Sequence, residues 1–232
     1  MNTNTLRRIA PFLVLTLLFV ASLAVSLGWY GKGNLHLLLN TWHAPCLDYM
    51  MRFFTAVAEY GVYVMIVVFL FRKAGYSAVV AAGGLLSTLI TQAVKHIVEA
   101  PRPMTWFAEN MPDIRLVFVE GVEVHKYLSF PSGHTTAAFA LATALVYVVE
   151  CSTRLQEKPR ARRAWQIVLF LLAAAAGYSR IYLSQHFALD VLTGCSVGTL
   201  SSLFVCWLAD RLQLPKRQWW QWHISFSRNK TE

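Results

Sequence analysis

The chain has 232 residues, of which 56% are hydrophobic and only 14% are charged, whereas soluble domains carry about 25% charged residues. This composition excludes an ordinary soluble domain and predicts an integral membrane protein. The net charge of +9 does not indicate nucleic-acid binding, because the basic residues lie mostly between apolar segments and form no patch on polar helices.

Six apolar segments approach the length of about 20 residues that a helix needs to cross the hydrocarbon core. They cover about residues 9–28, 53–71, 76–97, 134–150, 164–183 and 189–209. Each must be helical, because a chain in lipid can satisfy its backbone hydrogen bonds only internally. The first segment is longer than the apolar core of a signal peptide, so we expect it to be retained. No linker or internal repeat divides the chain, which predicts one all-α membrane domain over residues 1–232, a six-transmembrane-helix bundle.

The placement of lysine and arginine predicts the orientation of the bundle, since cytoplasmic segments carry an excess of both. With the N-terminus in the cytoplasm, 14 of the 21 lysines and arginines fall on the inner side. These are Arg7, Arg8, Arg72, Lys73, Arg154, Lys158, Arg160, Arg162, Arg163, Arg211, Lys216, Arg217, Arg228 and Lys230. We therefore expect both termini to be cytoplasmic. The connection over residues 98–133 then lies outside, and its prolines favour a lid or a short interfacial helix over one continuous helix.

Three polar segments lie at the ends of the predicted spans, all on the outer side. Residues 95–103 end the third span, residues 131–134 begin the fourth, and residues 179–190 join the fifth to the sixth. Polar and charged groups in a membrane span are costly and usually mark a functional site. Their common side predicts one shared site.

The cations in these segments fit a phosphoryl group. Lys95, Arg102 and Arg180 supply three positive charges, and guanidinium groups bind phosphoryl oxygens through paired hydrogen bonds. The Ser132-Gly133 turn, ahead of a predicted helix, offers a hydroxyl and backbone N–H groups at the positive end of the helix dipole. Stabilising charge on the oxygens is the main task in phosphoryl transfer.

Two histidines and one aspartate have the spacing needed to move a phosphoryl group. His186 and Asp190 are four residues apart, so a helix that begins near them places both on one face. The carboxylate can then bond one ring nitrogen and leave the other free as a nucleophile. His134, from another span, is placed to protonate the leaving alkoxide and then to activate water. Because the cations hold the phosphoryl group, we expect no metal and no other cofactor.

Each of these residues alone also has a structural interpretation. A lysine or arginine at a membrane boundary is usually a snorkelling anchor, and Asp190 alternatively pairs with Arg180. The four cysteines show no metal-ligand spacing and are interpreted as small buried apolar side chains. Four polar residues have open roles: Glu59 and Gln92 inside predicted spans, and His96 and Glu99 beside the first polar segment. No role is assigned to four histidines in predicted loops: His36, His43, His125 and His223.

The three polar segments resemble the signature of the type 2 phosphatidic acid phosphatase superfamily, which includes bacterial lipid phosphatases and vanadium haloperoxidases. The signature parts K-x6-RP, PSGH and SR-x5-H-x3-D are matched in order within residues 95–190. The resemblance implies that His186 is the nucleophile, that His134 is the general acid and that Asp190 supports His186. It also implies a set of phosphate contacts: Lys95, Arg102, Ser132, Gly133 and Arg180.

We therefore expect a membrane phosphatase that hydrolyses a phosphomonoester or diphosphate of a lipid through a phosphohistidine. Its site is expected at the periplasmic face of a bacterial inner membrane, with no nucleic-acid partner and with the oligomeric state open. The resemblance suggests undecaprenyl diphosphate and lipid A phosphate first, then phosphatidylglycerol phosphate and phosphatidic acid. Three other classes stay open. A phosphotransferase would pass the group to a second lipid, a transporter of anionic lipid would use the cations without the histidines, and a structural protein would need neither.

Overall fold

The structure, a computed structural model, describes residues 3–152 and 157–225, and these ranges contain helices and no strand. The helices are α1 Thr3–Tyr30, α2 Lys32–Leu39, α3 Pro45–Leu70, α4 Ala74–Val98, α5 Pro103–Asn110, α6 Gly133–Cys151, α7 Pro159–Tyr182, α8 Ala188–Arg211, a 3-10 turn Leu214–Lys216 and α9 Gln218–Gln221. Six of them, α1, α3, α4, α6, α7 and α8, are long and apolar enough to cross a membrane. The prediction of an all-α bundle of six transmembrane helices is confirmed.

The largest difference from the predicted spans is at the start of α3, which begins at Pro45 and not near residue 53. Proline at the first helical position fixes a helical φ angle without losing a needed hydrogen bond. The first two turns contain the charged residues Asp48 and Arg52. They make this stretch of the sequence less hydrophobic, so the predicted span began after them, although the helix includes both. The cytoplasmic position of the termini stays a prediction. Among the residues used to infer it, Arg154, Arg228 and Lys230 lie outside the described residues.

Two short helices lie in the connections between spans. α5 is the short helix expected in the 98–133 connection, whereas α2 was not predicted, because eight residues are too few to stand out as an apolar window. His36, expected in a loop, is fully buried in α2. The interpretation of all four cysteines as buried is also wrong for Cys46, which is exposed in the first turn of α3, while Cys195 and Cys206 are buried.

The centre of the bundle is the contact between α6 and α8, where small residues bring the two backbones together. A Cβ atom added to Gly198 would collide with the backbone oxygen of Thr136, and one added to Gly194 would lie 2.7 Å from the backbone oxygen of Ser132. One turn further along α8, Ser202 donates a hydrogen bond from Oγ to the backbone oxygen of Ala140 at 2.8 Å. Small residues four apart are the usual means of close helix packing in membranes. This contact sets the position of the first residues of α6 and α8, which carry two of the three polar segments.

A buried polar cluster joins α1, α6 and α7 away from these segments. α1 contains Pro11, and proline within a helix interrupts the backbone ladder. The amide of Gln166 in α7 accepts a hydrogen bond from the backbone N–H of Phe12 at 3.2 Å and donates one to the backbone oxygen of Arg8 at 2.9 Å. It also donates to Glu150 of α6 at 2.9 Å. One side chain thus satisfies polar backbone groups of α1 beside its proline.

The close contact at Gly198 gives a test of the packing. Alanine normally stabilises a helix relative to glycine by about 0.5–1 kcal/mol. At Gly198 the added methyl group meets backbone atoms that cannot move independently, so Gly198→Ala is expected to destabilise the bundle by about 1–3 kcal/mol. Thermal unfolding in detergent should show a lower midpoint. Gly28→Ala is the control, since no atom lies within 4 Å of its added Cβ, and equal midpoints for the two variants would contradict the packing described.

Candidate active site

The carboxylate of Asp190 lies at the centre of the three polar segments. Asp190 is the third residue of α8, and its Oδ2 accepts hydrogen bonds from the backbone N–H of Phe187 at 2.9 Å and from Oγ of Ser129 at 2.5 Å. The same oxygen lies 3.5 Å from Nδ1 of His186. That separation is long for a hydrogen bond. Asp190 therefore faces one ring nitrogen of His186, and Nε2 is left for chemistry.

His186 does not lie on the helix that carries Asp190, as the four-residue spacing suggested. It lies in the loop between α7 and α8, before the first residue of α8. The two side chains meet because Asp190 folds back to cap the start of the helix, which is a usual role of an acidic residue in the first turn. The contact expected from the sequence is present, but a helix cap produces it and not a shared helix face.

The loop of His186 is tied to Arg180. The backbone N–H groups of Gln185 and His186 both donate to the backbone oxygen of Arg180, at 2.9 and 3.1 Å. Ser184 turns the chain with a left-handed φ of 52°, a conformation uncommon outside glycine. His186 is almost completely buried, and this burial lowers its pKa to about 3 against the opposing effect of Asp190. The imidazole is therefore neutral at neutral pH, which is the form a nucleophile requires.

The three cations of the polar segments are buried and held by neutral oxygens. Lys95 donates to the backbone oxygen of Leu128 at 2.8 Å. Arg102 donates to the backbone oxygen of Tyr127 and to Oε1 of Gln185, each at 2.9 Å. The third cation, Arg180, donates to Oγ1 of Thr55 at 3.2 Å.

None of these three cations forms an ion pair with a carboxylate in the part of the chain that the structure describes. In particular, Asp190 does not pair with Arg180. Buried charges are costly without a partner of opposite sign. All three lie in the polar segments at one end of the bundle and form a cluster of positive charge, the candidate anion pocket, at which binding of an anion would be favourable.

Ser132 has a role in the fold in addition to the phosphate contact predicted for it. It is the N-cap of α6, and its Oγ accepts hydrogen bonds from the backbone N–H and from Oγ1 of Thr135, at 3.4 and 2.8 Å. Its own N–H donates to the backbone oxygen of Asp190 at 3.0 Å. The N–H of Ser132 is therefore not free for a ligand. This differs from the expectation that the backbone N–H groups of the Ser132-Gly133 turn would be available. Its hydroxyl proton and the N–H groups of Gly133 and His134, at the start of α6, remain as donors.

His134 follows Gly133 at the start of α6 and faces the carboxylate of Glu59, a residue whose role the sequence did not indicate. Nε2 of His134 lies 3.7 Å from Oε2 of Glu59 in α3.

His96 and Glu99, whose roles the sequence also left open, are exposed at the end of α4.

Three residues that hold the site were not singled out from the sequence. Ser129 binds Asp190, Gln185 binds Arg102, and Thr55 binds Arg180. Ser129 and Gln185 lie within three residues of the signature residues Ser132 and His186, and that proximity was the available signal. Thr55 lies in an apolar helix far away in the chain, where nothing in the sequence marks it.

With this geometry established, comparison with known proteins identifies the family. Residues 60–213 match the PAP2 superfamily. The chain is 30% identical over 182 residues to the lipid A 4'-phosphatase of Porphyromonas gingivalis, which covers 74% of this chain and 70% of that protein. The chain therefore belongs to the PAP2 superfamily.

Two further relatives match over shorter stretches. The bacitracin transport permease protein BcrC of Bacillus licheniformis is 37% identical over 84 residues, covering 36% of this chain and 35% of that protein. The lipid A 1-phosphatase of P. gingivalis is 36% identical over 83 residues, covering 35% of this chain and 16% of that protein. The matched stretch thus spans about a third and about a sixth of these two relatives.

Two solved structures share the fold. The transmembrane PAP2 type phosphatidylglycerolphosphate phosphatase of Bacillus subtilis aligns with a TM-score of 0.62 at 20% identity, over 91% of this chain and 98% of that one. LpxE of Aquifex aeolicus aligns with a TM-score of 0.57 at 24% identity, over 75% of this chain and 93% of that one. At these identities the likeness extends to the fold, a multi-pass membrane bundle.

The unpaired cations predict that the protein binds inorganic phosphate. Replacing Arg180 by glutamine removes one charge, and a hydrogen bond to a charged group contributes about 1.5–3 kcal/mol. Arg180→Gln should therefore weaken phosphate binding roughly 10- to 100-fold, measured by titration calorimetry in detergent. Arg52→Gln, at an exposed arginine of α3, should bind as the unmodified protein does. Equal binding by Arg180→Gln and Arg52→Gln would argue against an anion pocket at this place.

Proposed function

We propose that this protein is a membrane lipid phosphatase that hydrolyses a phosphomonoester or diphosphate of a lipid at the periplasmic face of a bacterial inner membrane. The observation that carries the proposal is the buried His186, faced by Asp190, at the end of the bundle where three buried cations lie without carboxylate partners. Membership of the PAP2 superfamily and the names of the relatives, two of them lipid A phosphatases, support it. The proposed enzyme is one membrane domain over residues 1–232, with its site between residues 95 and 190.

The proposed reaction begins with the phosphoryl group in the anion pocket. Lys95, Arg102 and Arg180 bind its oxygens, together with the hydroxyl of Ser132 and the N–H of Gly133. These donors stabilise the charge that builds on the oxygens in the transition state. They are held by the protein before substrate binds, so little reorganisation is needed at the moment of reaction.

The two histidines then carry out two transfers. Nε2 of His186 attacks phosphorus, and His134 gives its proton to the oxygen of the departing lipid. The Asp190 carboxylate stabilises the positive charge on His186 as the nitrogen–phosphorus bond forms. In the second step, His134 takes a proton from water, the resulting hydroxide attacks phosphorus, and the nitrogen–phosphorus bond breaks. Inorganic phosphate leaves, and both histidines return to their starting states.

An apolar groove supports a lipid as the substrate. It has a volume of about 480 Å³ and is lined by residues of α3, α6 and α7, none of them charged. Its lining includes Ala138 and Ala176, each one helical turn from His134 or Arg180. A hydrocarbon chain in this groove would place its phosphate near the cations, and substrate would enter sideways from the membrane. Undecaprenyl diphosphate and lipid A phosphate are the first candidates, followed by phosphatidylglycerol phosphate and phosphatidic acid.

Phosphate release from a panel of these four lipids tests the proposal. The unmodified protein in detergent should release inorganic phosphate from at least one of them, with products identified by mass spectrometry. His186→Ala removes the nucleophile, so we expect a loss of at least about 1000-fold in kcat. His223→Ala, at an exposed histidine, is the control and should keep full activity. Unchanged release by His186→Ala would refute the mechanism, and transfer of the phosphoryl group to a second lipid would identify a phosphotransferase.

The same assay tests the role of metal ions. The proposed pocket holds the phosphoryl group with side chains and backbone N–H groups, so phosphate release should continue unchanged in EDTA. Loss of activity in EDTA that magnesium restores would show that the cations of the chain do not suffice.

A further inference from the structure

Glu59 is a charged residue in an otherwise apolar helix. It is the one charged residue among residues 53–70 of α3, and its side chain is 49% exposed. An ionisable side chain inside a membrane span is costly and usually serves a function. Gln92 on α4 is also exposed within a span. The mechanism proposed above uses neither residue.

Both residues line a small polar pocket between α3, α4 and α6. The pocket has a volume of about 180 Å³. Nine residues line it, among them Glu59, Thr88, Thr91, Gln92 and His134. Thr91 donates a hydrogen bond to Thr136, whereas the side chains of Thr88 and Gln92 have no hydrogen-bond partner among the described residues. The pocket therefore offers unused donors and acceptors beside the catalytic histidine.

The charge of this pocket is opposite to that of the anion pocket. None of its nine lining residues, all within the described part of the chain, is lysine or arginine. Its one carboxylate, Glu59, faces Nε2 of His134 at 3.7 Å. At that distance the carboxylate stabilises the positive charge that His134 carries when it acts as an acid. The cations hold the transferred phosphoryl group, so the charge is positive on that side of His134 and negative on the side of Glu59.

We propose that this pocket is the subsite for the alcohol that leaves the phosphoryl group, and that Glu59 makes it select an uncharged, hydroxyl-bearing headgroup over a leaving phosphate. The inference rests on the proposed function. His134 protonates the oxygen of the leaving group, so the leaving group must lie against His134, and the pocket begins there. Glu59 touches His134 and acts on the reaction as a positioning and specificity residue.

The chemistry of the two substrate classes explains the selection. A phosphomonoester of a sugar or glycerol lipid releases a hydroxyl group, and neighbouring hydroxyls can donate to Glu59 and bond to Thr88 and Gln92. A lipid diphosphate releases a lipid monophosphate, which would bring negative charge into a pocket that has a carboxylate and no cation. Like charges at short range in a protein repel strongly. The subsite therefore favours a sugar- or glycerol-headed phosphomonoester over a polyprenyl diphosphate.

The test compares two substrates with the full-length protein in detergent. The probes are lipid A phosphate, a sugar-headed phosphomonoester, and undecaprenyl diphosphate. We expect the unmodified protein to prefer lipid A phosphate at least tenfold in kcat/KM. Glu59→Gln keeps the shape and removes the charge, so this preference should fall at least tenfold, with kcat/KM for the diphosphate rising. Glu109→Gln, at an exposed glutamate of α5, should leave the preference unchanged.

A second variant covers the case that Glu59→Gln does not fold. Gln92→Leu removes a hydrogen-bonding group from the pocket and should lower kcat/KM for lipid A phosphate at least fivefold while leaving the diphosphate reaction unchanged. A merely structural defect would lower both reactions together. Phosphate release with the same substrate preference in the unmodified protein and in both variants would overturn the subsite alone. No release from any lipid of the panel would overturn the proposed function as well.

Discussion

Oδ2 of Asp190 joins the parts of the site that come from distant places in the chain. It accepts hydrogen bonds from Ser129, 61 residues earlier, and from the N–H of Phe187, and it lies against the ring of His186. The backbone oxygen of the same residue accepts the N–H of Ser132. The start of α6, the loop before it and the start of α8 are therefore fixed to one another at one residue. If this carboxylate moved, His186 and the N–H groups at the start of α6 would move apart.

The cations add a constraint of another kind, because burying them without a carboxylate partner is unfavourable. Lys95 donates to the backbone oxygen of Leu128, and Arg102 donates to that of Tyr127. These carbonyl oxygens carry only partial charge and do not neutralise the cations. Other contacts in the bundle must offset this cost, and one of them is the close packing of α8 on α6 that Gly194 and Gly198 allow. The burial of the three cations and the close packing of α6 and α8 are thus linked. A bundle with a looser α6–α8 contact would tolerate three unpaired cations less well.

Much of this arrangement follows from the sequence, for physical reasons that also explain what does not. The six spans were predictable because lipid demands about 20 apolar residues and a helical backbone. α2 was missed because it is too short to cross a membrane and therefore leaves no long apolar segment in the sequence. Signature residues such as His186 stand out by type and spacing, whereas Gln185 and Thr55 act through single contacts that only the folded chain creates. The spacing of His186 and Asp190 predicted their contact, but the helix cap that makes it was visible only in the structure.

The contact of Gln166 with α1 bears on the order in which the bundle is assembled. α1 is made before α7, and its backbone groups at Arg8 and Phe12, beside Pro11, bond to a side chain that lies more than 150 residues later in the chain. Before α7 is inserted, α1 lacks these two hydrogen bonds. α1 is thus made well before the side chain that bonds to it, and it gains these two hydrogen bonds only when α7 is inserted beside it.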